Sequence, residues 1–146
     1  MRALRRELGL PAGGHPLFEG KVSPLLGENP PASGLPSSIL TWDYLPFSEL
    51  FPWAAAIVHQ GGIGTTAQAL RAGRPMLVVP FPHDQFDNAA RVTRLGVART
   101  LPRPRLSAGR LTRELAALLG TSGGPSATIA ARVRAESGAA RAARGN

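Results

Sequence analysis

From residue 39 onward, apolar and polar positions fall into short blocks, each closed by glycine or proline. Residues 54–58, Ala-Ala-Ala-Ile-Val, predict a strand. It runs into the polar, glycine-rich stretch His59-Gln60-Gly61-Gly62-Ile63-Gly64-Thr65-Thr66 and then a helix-forming segment, so a helix is predicted over 65–72, stopped by Gly73 and Pro75. Residues 76–80 are continuously apolar, the pattern of a strand buried on both faces of a parallel sheet. A helix follows over 86–95, with Phe86, Ala89, Ala90 and Val92 on one side, and then a short strand over 97–100. Leu111, Leu115, Leu118 and Leu119 recur at helical spacing over 108–119, with Ser107 as N-cap. A last helix over 126–143 turns Ile129 and Val133 inward and leaves Arg132, Arg134, Arg141 and Arg144 as a solvated face. Ahead of these, 39–42 reads as a short strand, 43–46 as a turn and 48–51 as one helical turn ended by Pro52, with Trp42 and Trp53 assigned to packing.

Strands that alternate with helices through short links predict an α/β fold with a Rossmann-like parallel sheet. The first 38 residues do not share the pattern. Leu4 and Leu8 suit a short amphipathic helix over 2–10, after which proline, glycine and serine dominate, with only brief apolar pieces such as Leu17-Phe18. Unstructured stretches of that length are uncommon inside a compact domain. The expected organisation is a largely irregular segment, 1–38, followed by a folded domain, 39–146.

With 43% hydrophobic and 18% charged residues, the chain is globular rather than disordered. Its net charge of +8 comes almost wholly from arginine and suits anionic partners. The arginines are scattered, with no dense patch interleaved with aromatics, so nucleic acid is not the expected partner. Without cysteine there is no disulfide framework, thiolate metal site or thiol nucleophile. No apolar run is long enough to span a bilayer, and the basic start at Arg2, Arg5 and Arg6 is not followed by an apolar segment. The expected location is cytoplasmic.

Candidate chemistry sits at the ends of the predicted strands. A strand, a glycine-rich turn and a helix start direct several backbone N–H groups and the positive end of the helix dipole at one spot. Glycines allow close approach, Thr65 and Thr66 can add hydroxyl donors, and His59 stands where the strand ends. A phosphate suits such a site, although many glycine turns only make a tight corner. The turn is not a nucleoside-triphosphate loop, since the only lysine is Lys21, and Gly62-x-Gly64 lacks the third glycine of a dinucleotide site. In open α/β sheets ligands bind at the carboxyl ends of strands, which makes 81–85 the second half of a shared crevice if the two strands are neighbours. Asp84 and Gln85 there suit hydrogen bonds to vicinal hydroxyls, the carboxylate accepting and the amide both donating and accepting. His83 beside Asp84 has no further ligands near it in sequence, so no metal site is expected. Phosphate at one loop and polyol at the other describe a nucleotide sugar.

Four motifs then follow at fixed spacings: Asp43-Tyr44-x-Pro46, His59-x-Gly61-Gly62-x-Gly64-Thr65-Thr66, Ala72-Gly73-x-Pro75, and Pro80-Phe81-x-x-Asp84-Gln85-x-x-Asn88-Ala89. Together, over about 39–145, they resemble the donor-binding, C-terminal domain of family 1, GT-B-fold glycosyltransferases, nearest to bacterial enzymes acting on natural products and sterols. The resemblance implies that Tyr44 and Pro46 hold the nucleobase. It assigns His59, Gly61, Gly62, Gly64, Thr65 and Thr66 to the pyrophosphate, and Asp84 and Gln85 to the sugar. It also implies inverting transfer from a UDP- or TDP-hexose to a hydroxyl acceptor, with no metal or other cofactor. Residues 2–26 resemble a stretch near the end of the acceptor half, joined here to Ile39 through Glu28-Asn29-Pro30-Pro31-Ala32-Ser33 where the family carries a longer segment. His15 matches no acceptor-domain base. The chain is therefore expected to be an internally deleted or truncated transferase, incomplete in its sheet and inactive alone, with apolar surface left bare on 54–58 or 76–80. The alternative is a non-catalytic nucleotide-sugar-binding module or remnant that acts with a separate acceptor-domain partner.

Overall fold

The computed structural model describes residues 46–120 and 124–136, together with the backbone of two short strands, β1 (Leu17–Phe18) and β2 (Ile39–Leu40). The chain divides into two units, 1–43 and 44–146. In the first, β1 and β2 pair in parallel, Leu17 opposite Ile39 and Phe18 opposite Leu40. The sequence predicts β2 but treats Leu17-Phe18 as part of the irregular segment, because two residues carry no period. The helix expected over 2–10 and the packing expected of Trp42 fall outside the described residues.

The second unit opens with α1 (Phe47–Leu50), continued by a 3-10 turn, Phe51–Trp53, in which the Phe47 and Phe51 rings stack with centroids 4.6 Å apart. Then come β3 (Ile57–His59), α2 (Ile63–Ala72), β4 (Met76–Val78), α3 (Gln85–Arg94) and β5 (Ala98–Thr100). A 3-10 turn, Arg103–Arg105, leads to α4 (Ala108–Gly120) and α5 (Gly124–Ala135). The strands form one parallel sheet in the order β3-β4-β5, with Ile57 opposite Met76 and Met76 opposite Ala98.

Side chains that alternate across the strands divide the core in two. Ile57, Met76, Val78 and Ala98 meet Phe51, Ala69 of α2, and Ala89 and Val92 of α3 on one face. Leu77 and Val79 meet Leu101 and Leu118 of α4 on the other, with Leu111 and Leu115 packed behind. The central strand β4 is buried throughout, as its unbroken apolar run predicts. Helix α2 ends at Gly73, whose left-handed φ of 71° lets its N–H close on the Ala69 and Leu70 carbonyls. A Cβ at Gly73 would lie 2.9 Å from that of Ala130, because α5 packs directly on α2. The guanidinium of Arg74 donates to the Pro52 carbonyl and ties this corner to the 3-10 turn.

Several boundaries differ from expectation. Strand pairing begins only at Ile57 and takes in His59, while Pro80, which has no N–H to give a ladder, lies past the end of β4. Ser107 does start α4: its carbonyl accepts from Leu111 N–H at 2.8 Å, its hydroxyl more distantly from Arg110 N–H at 3.4 Å. Leu119, expected to share the inner face, is exposed, and the last helix is described over 124–135 with Pro125 in its first turn, while 137–143, Arg141 and Arg144 lie outside the described residues. Trp53 is half exposed rather than packed, since it closes a single 3-10 turn, and Val58 of β3 is 47% exposed. Of the two runs expected to show bare apolar surface, only the first does, at Val58 and Ala55; 76–80 is buried.

Candidate functional site

Because β3 and β4 are hydrogen-bonded neighbours, the segments that leave their carboxyl ends emerge side by side, and the Val79 N–H donates to the His59 carbonyl at 2.9 Å. These are the glycine stretch after His59 and the 81–85 stretch before α3.

His59 is buried, 8% exposed, at the end of β3. Its Nδ1 accepts the Gly61 N–H at 3.0 Å, which requires the neutral ring to carry its proton on Nε2. That Nε2 is buried and has no partner among the described residues. Burial also pushes the imidazole pKa down from 6.5 to about 4. The ring is therefore a neutral, fixed N–H donor at physiological pH. As pH falls below 6.5 the unfolded chain binds this proton while the folded chain resists it until about 4, so stability is full above 6.5 and falls through that interval. Denaturant unfolding should show a loss of about 2 kcal/mol between pH 7 and 4.5 that His59→Gln lacks.

Gly61 makes the corner with φ at 93°, and Gly62 stands at the N-cap of α2 without any side-chain cap. The first turn of α2 therefore keeps unsatisfied N–H donors next to the His59 loop. Thr66 is buried and its hydroxyl donates to the Gly62 carbonyl at 2.9 Å, alongside the Thr66 N–H at 2.9 Å. The expectation of a ligand donor at Thr66 thus meets a hydroxyl whose proton is already committed to shaping the turn. Thr65 is half-buried and makes no such bond among the described residues. Gly64 faces open space: beyond its chain neighbours and its own helix backbone, no atom of the described residues lies within 4 Å of where a Cβ would stand.

In the second segment, Gln85 Oε1 accepts the Phe81 N–H at 2.9 Å. That bond fixes the orientation of the amide and leaves its NH₂ to donate, so Gln85 is a donor where the sequence allows both roles. Asp84 Oδ2 accepts from Asn88 Nδ2 at 2.9 Å. The same nitrogen donates to the Gly61 carbonyl at 3.0 Å and joins the two segments. His83, within the second segment, has a left-handed φ of 57°, uncommon for a non-glycine residue. The inner stripe of α3 is accordingly Gln85, Asn88, Ala89 and Val92. Phe86, expected inward, is 53% exposed because the polar pair takes its place to bond the loops. The sequence places Asn88 in the fourth motif without assigning it a role, although its i, i+4 spacing from Asp84 at a helix start is the signal for such a contact.

Tyr44 lies outside the described residues. Pro46 is exposed at the start of α1, and its carbonyl accepts the Glu49 and Leu50 N–H groups. Among the described residues no three metal-ligating side chains gather, and no helix is long and apolar enough to cross a membrane.

Comparison with known proteins places this parallel sheet, with its two polar loops at neighbouring strand ends, in the C-terminal half of the GT-B glycosyltransferase fold. Residues 26–143 match the erythromycin biosynthesis protein CIII-like C-terminal domain. The chain belongs to that family. It is 44% identical over 78 residues to the O-mycaminosyltylonolide 6-deoxyallosyltransferase of Streptomyces fradiae, covering 53% of this chain and 18% of that one. It is 48% identical over 67 residues to a sterol 3-beta-glucosyltransferase of Saccharomyces cerevisiae (strain YJM789), covering 46% of this chain and 6% of the other. The crystal structure of glycosyltransferase VinC in complex with DTDP superposes with a TM-score of 0.66 at 33% identity, covering 70% of this chain and 27% of that one. The chain thus spans less than a third of each of these proteins.

Proposed function

We propose that residues 39–146 form a donor-binding domain that holds a UDP- or TDP-hexose for inverting transfer to a hydroxyl acceptor. The observation that carries this reading is His59: a buried N–H donor with no partner among the described residues, beside an uncapped helix start. Burying such a donor without a partner is costly, and an anionic oxygen is the partner that recovers the cost. The Nε2–H and the first N–H groups of α2 would together bind the pyrophosphate. As the acceptor oxygen bonds to the anomeric carbon and the bond to the phosphate oxygen breaks, they would stabilise the charge that develops on the leaving diphosphate. The Asp84 carboxylate and the Gln85 NH₂ would accept from and donate to sugar hydroxyls, and Tyr44 with Pro46 would flank the base. The DTDP ligand of VinC and the transferase names of the relatives support this reading. Transfer also needs an acceptor-binding half, on the same polypeptide or on a separate partner. A cytoplasmic setting suits a cysteine-free chain that uses a nucleotide-activated donor.

Gly64 gives the sharpest test. Nothing in the fold opposes a methyl group there, and alanine is the better helix former by up to about 1 kcal/mol. Gly64→Ala should therefore match or exceed the wild type in thermal stability. If the space above Gly64 is where a phosphate approaches, the same variant should lose at least tenfold in calorimetric affinity for UDP and TDP. Unchanged affinity would remove the phosphate from this loop.

A further inference from the structure

Asp84 is exposed at the start of α3, has helical φ and ψ, and makes no capping bond of its own. Among the described residues, the hydrogen bond that fixes its carboxylate is the one from Asn88 Nδ2 at 2.9 Å. The NH₂ of Asn88 carries two protons, and the second goes to the Gly61 carbonyl at 3.0 Å. Gly61 in turn gives its N–H to His59 Nδ1. These hydrogen bonds therefore link the His59 ring, the two peptide groups that flank the Gly61 Cα, the Asn88 amide and the Asp84 carboxylate in turn. The first and the last are the groups assigned above to pyrophosphate and to sugar. Both atoms facing the Asn88 NH₂ are acceptors, which fixes the amide's orientation.

We propose that Asn88 is a positioning residue for donor recognition: it holds the Asp84 carboxylate in register with the pyrophosphate loop, so that the sugar is read only by a carboxylate already aligned to the diphosphate. The inference rests on the donor-site reading and deepens it. Asn88 spends both amide protons inside the protein and acts on the sugar through Asp84. A staple that only joined α3 to the loop would act on diphosphate and sugar alike.

The test compares UDP with UDP-glucose, and TDP with TDP-glucose, by calorimetry on the full chain. The quantity of interest is the affinity gained when the glucose is present. Asn88→Ala and Asp84→Ala should each cut that gain about tenfold, the value of a charge-assisted hydrogen bond. The double variant should fall no more than twofold below either, because the two residues act as one unit. Affinity for the bare diphosphates should change less than threefold. Asn88→Asp, equal in size but with no proton to give, should reproduce Asn88→Ala and covers the case in which the alanine variant does not fold.

Independent effects of the two substitutions, or an equal loss for diphosphate and nucleotide sugar, overturn the proposal. So does a wild type in which glucose adds no affinity, although pyrophosphate binding then survives. A wild type that binds none of the four ligands overturns the donor-site reading itself. The proposed role falls with it, and the bridge between Asp84 and the Gly61 loop is tested separately on the ligand-free chain by the nuclear magnetic resonance signals of the Asn88 NH₂. Asp84→Ala should move one of the two proton signals toward the unbonded range and leave the other in place. Two unmoved signals overturn the bridge.

Discussion

Gly61→Ala is expected to cost about 2–4 kcal/mol of folding stability, a large share of what a domain of this size possesses. Two independent penalties act at this position. The backbone φ of 93° lies where a side chain is strained, and the added Cβ would stand 2.9 Å from Val78 Cγ1 and 3.1 Å from the Gln85 carbonyl oxygen. Val78 belongs to the central strand and Gln85 opens α3, so neither can retreat without moving the sheet or the second loop. Denaturant unfolding of the variant measures the loss directly. A value below about 1 kcal/mol would mean that the corner between β3 and α2 does not close on β4 as described.

His59→Ala is expected to weaken binding of UDP or TDP by about 10- to 100-fold, the worth of one hydrogen bond to a charged group. The direction follows from the protonation state. Nδ1 accepts from Gly61 and burial holds the ring neutral, so Nε2–H is a donor across the whole neutral range. The affinity should therefore change little between pH 6.5 and 8 on account of this residue. Calorimetry on a variant shown to be folded by circular dichroism makes the measurement. Affinity that survives the substitution but collapses in salt would instead indicate non-specific attraction to the chain's arginines.

Much of the architecture is legible in the sequence, and the reasons are local. The unbroken apolar run at 76–80 has no other use than a strand covered on both sides, and β4 is that strand. The leucines at 111, 115 and 118 mark the inner face of α4 by spacing alone. Strand ends are less visible, because pairing partners set them: His59 joins β3 through Val78 opposite, which no local propensity announces. The site is legible to a similar depth. The residue types at His59, the glycines and Asp84-Gln85 point to anion and hydroxyl chemistry, and the neighbouring strands bring them together. What the sequence leaves open is the use of each proton. Thr66 spends its own on Gly62, Gln85 Oε1 is taken by Phe81 N–H, and Asn88 spans two segments that are 27 residues apart. Each of these depends on where a distant backbone group arrives, and Phe86 yields the inner face of α3 for the same reason.

The packing of α5 on α2 governs the order in which the molecule can be completed. Each strand of the β3-β4-β5 sheet pairs with the next one in the chain, so these three can add in sequence as a ribosome delivers them. Helix α2 is the exception. It is made before β4, yet its Gly73 end is closed by Ala130 of α5, which follows β5 in the chain. Until residues 124–135 emerge, the nascent chain carries three paired strands with the helix that crosses from β3 to β4 still bare along one side.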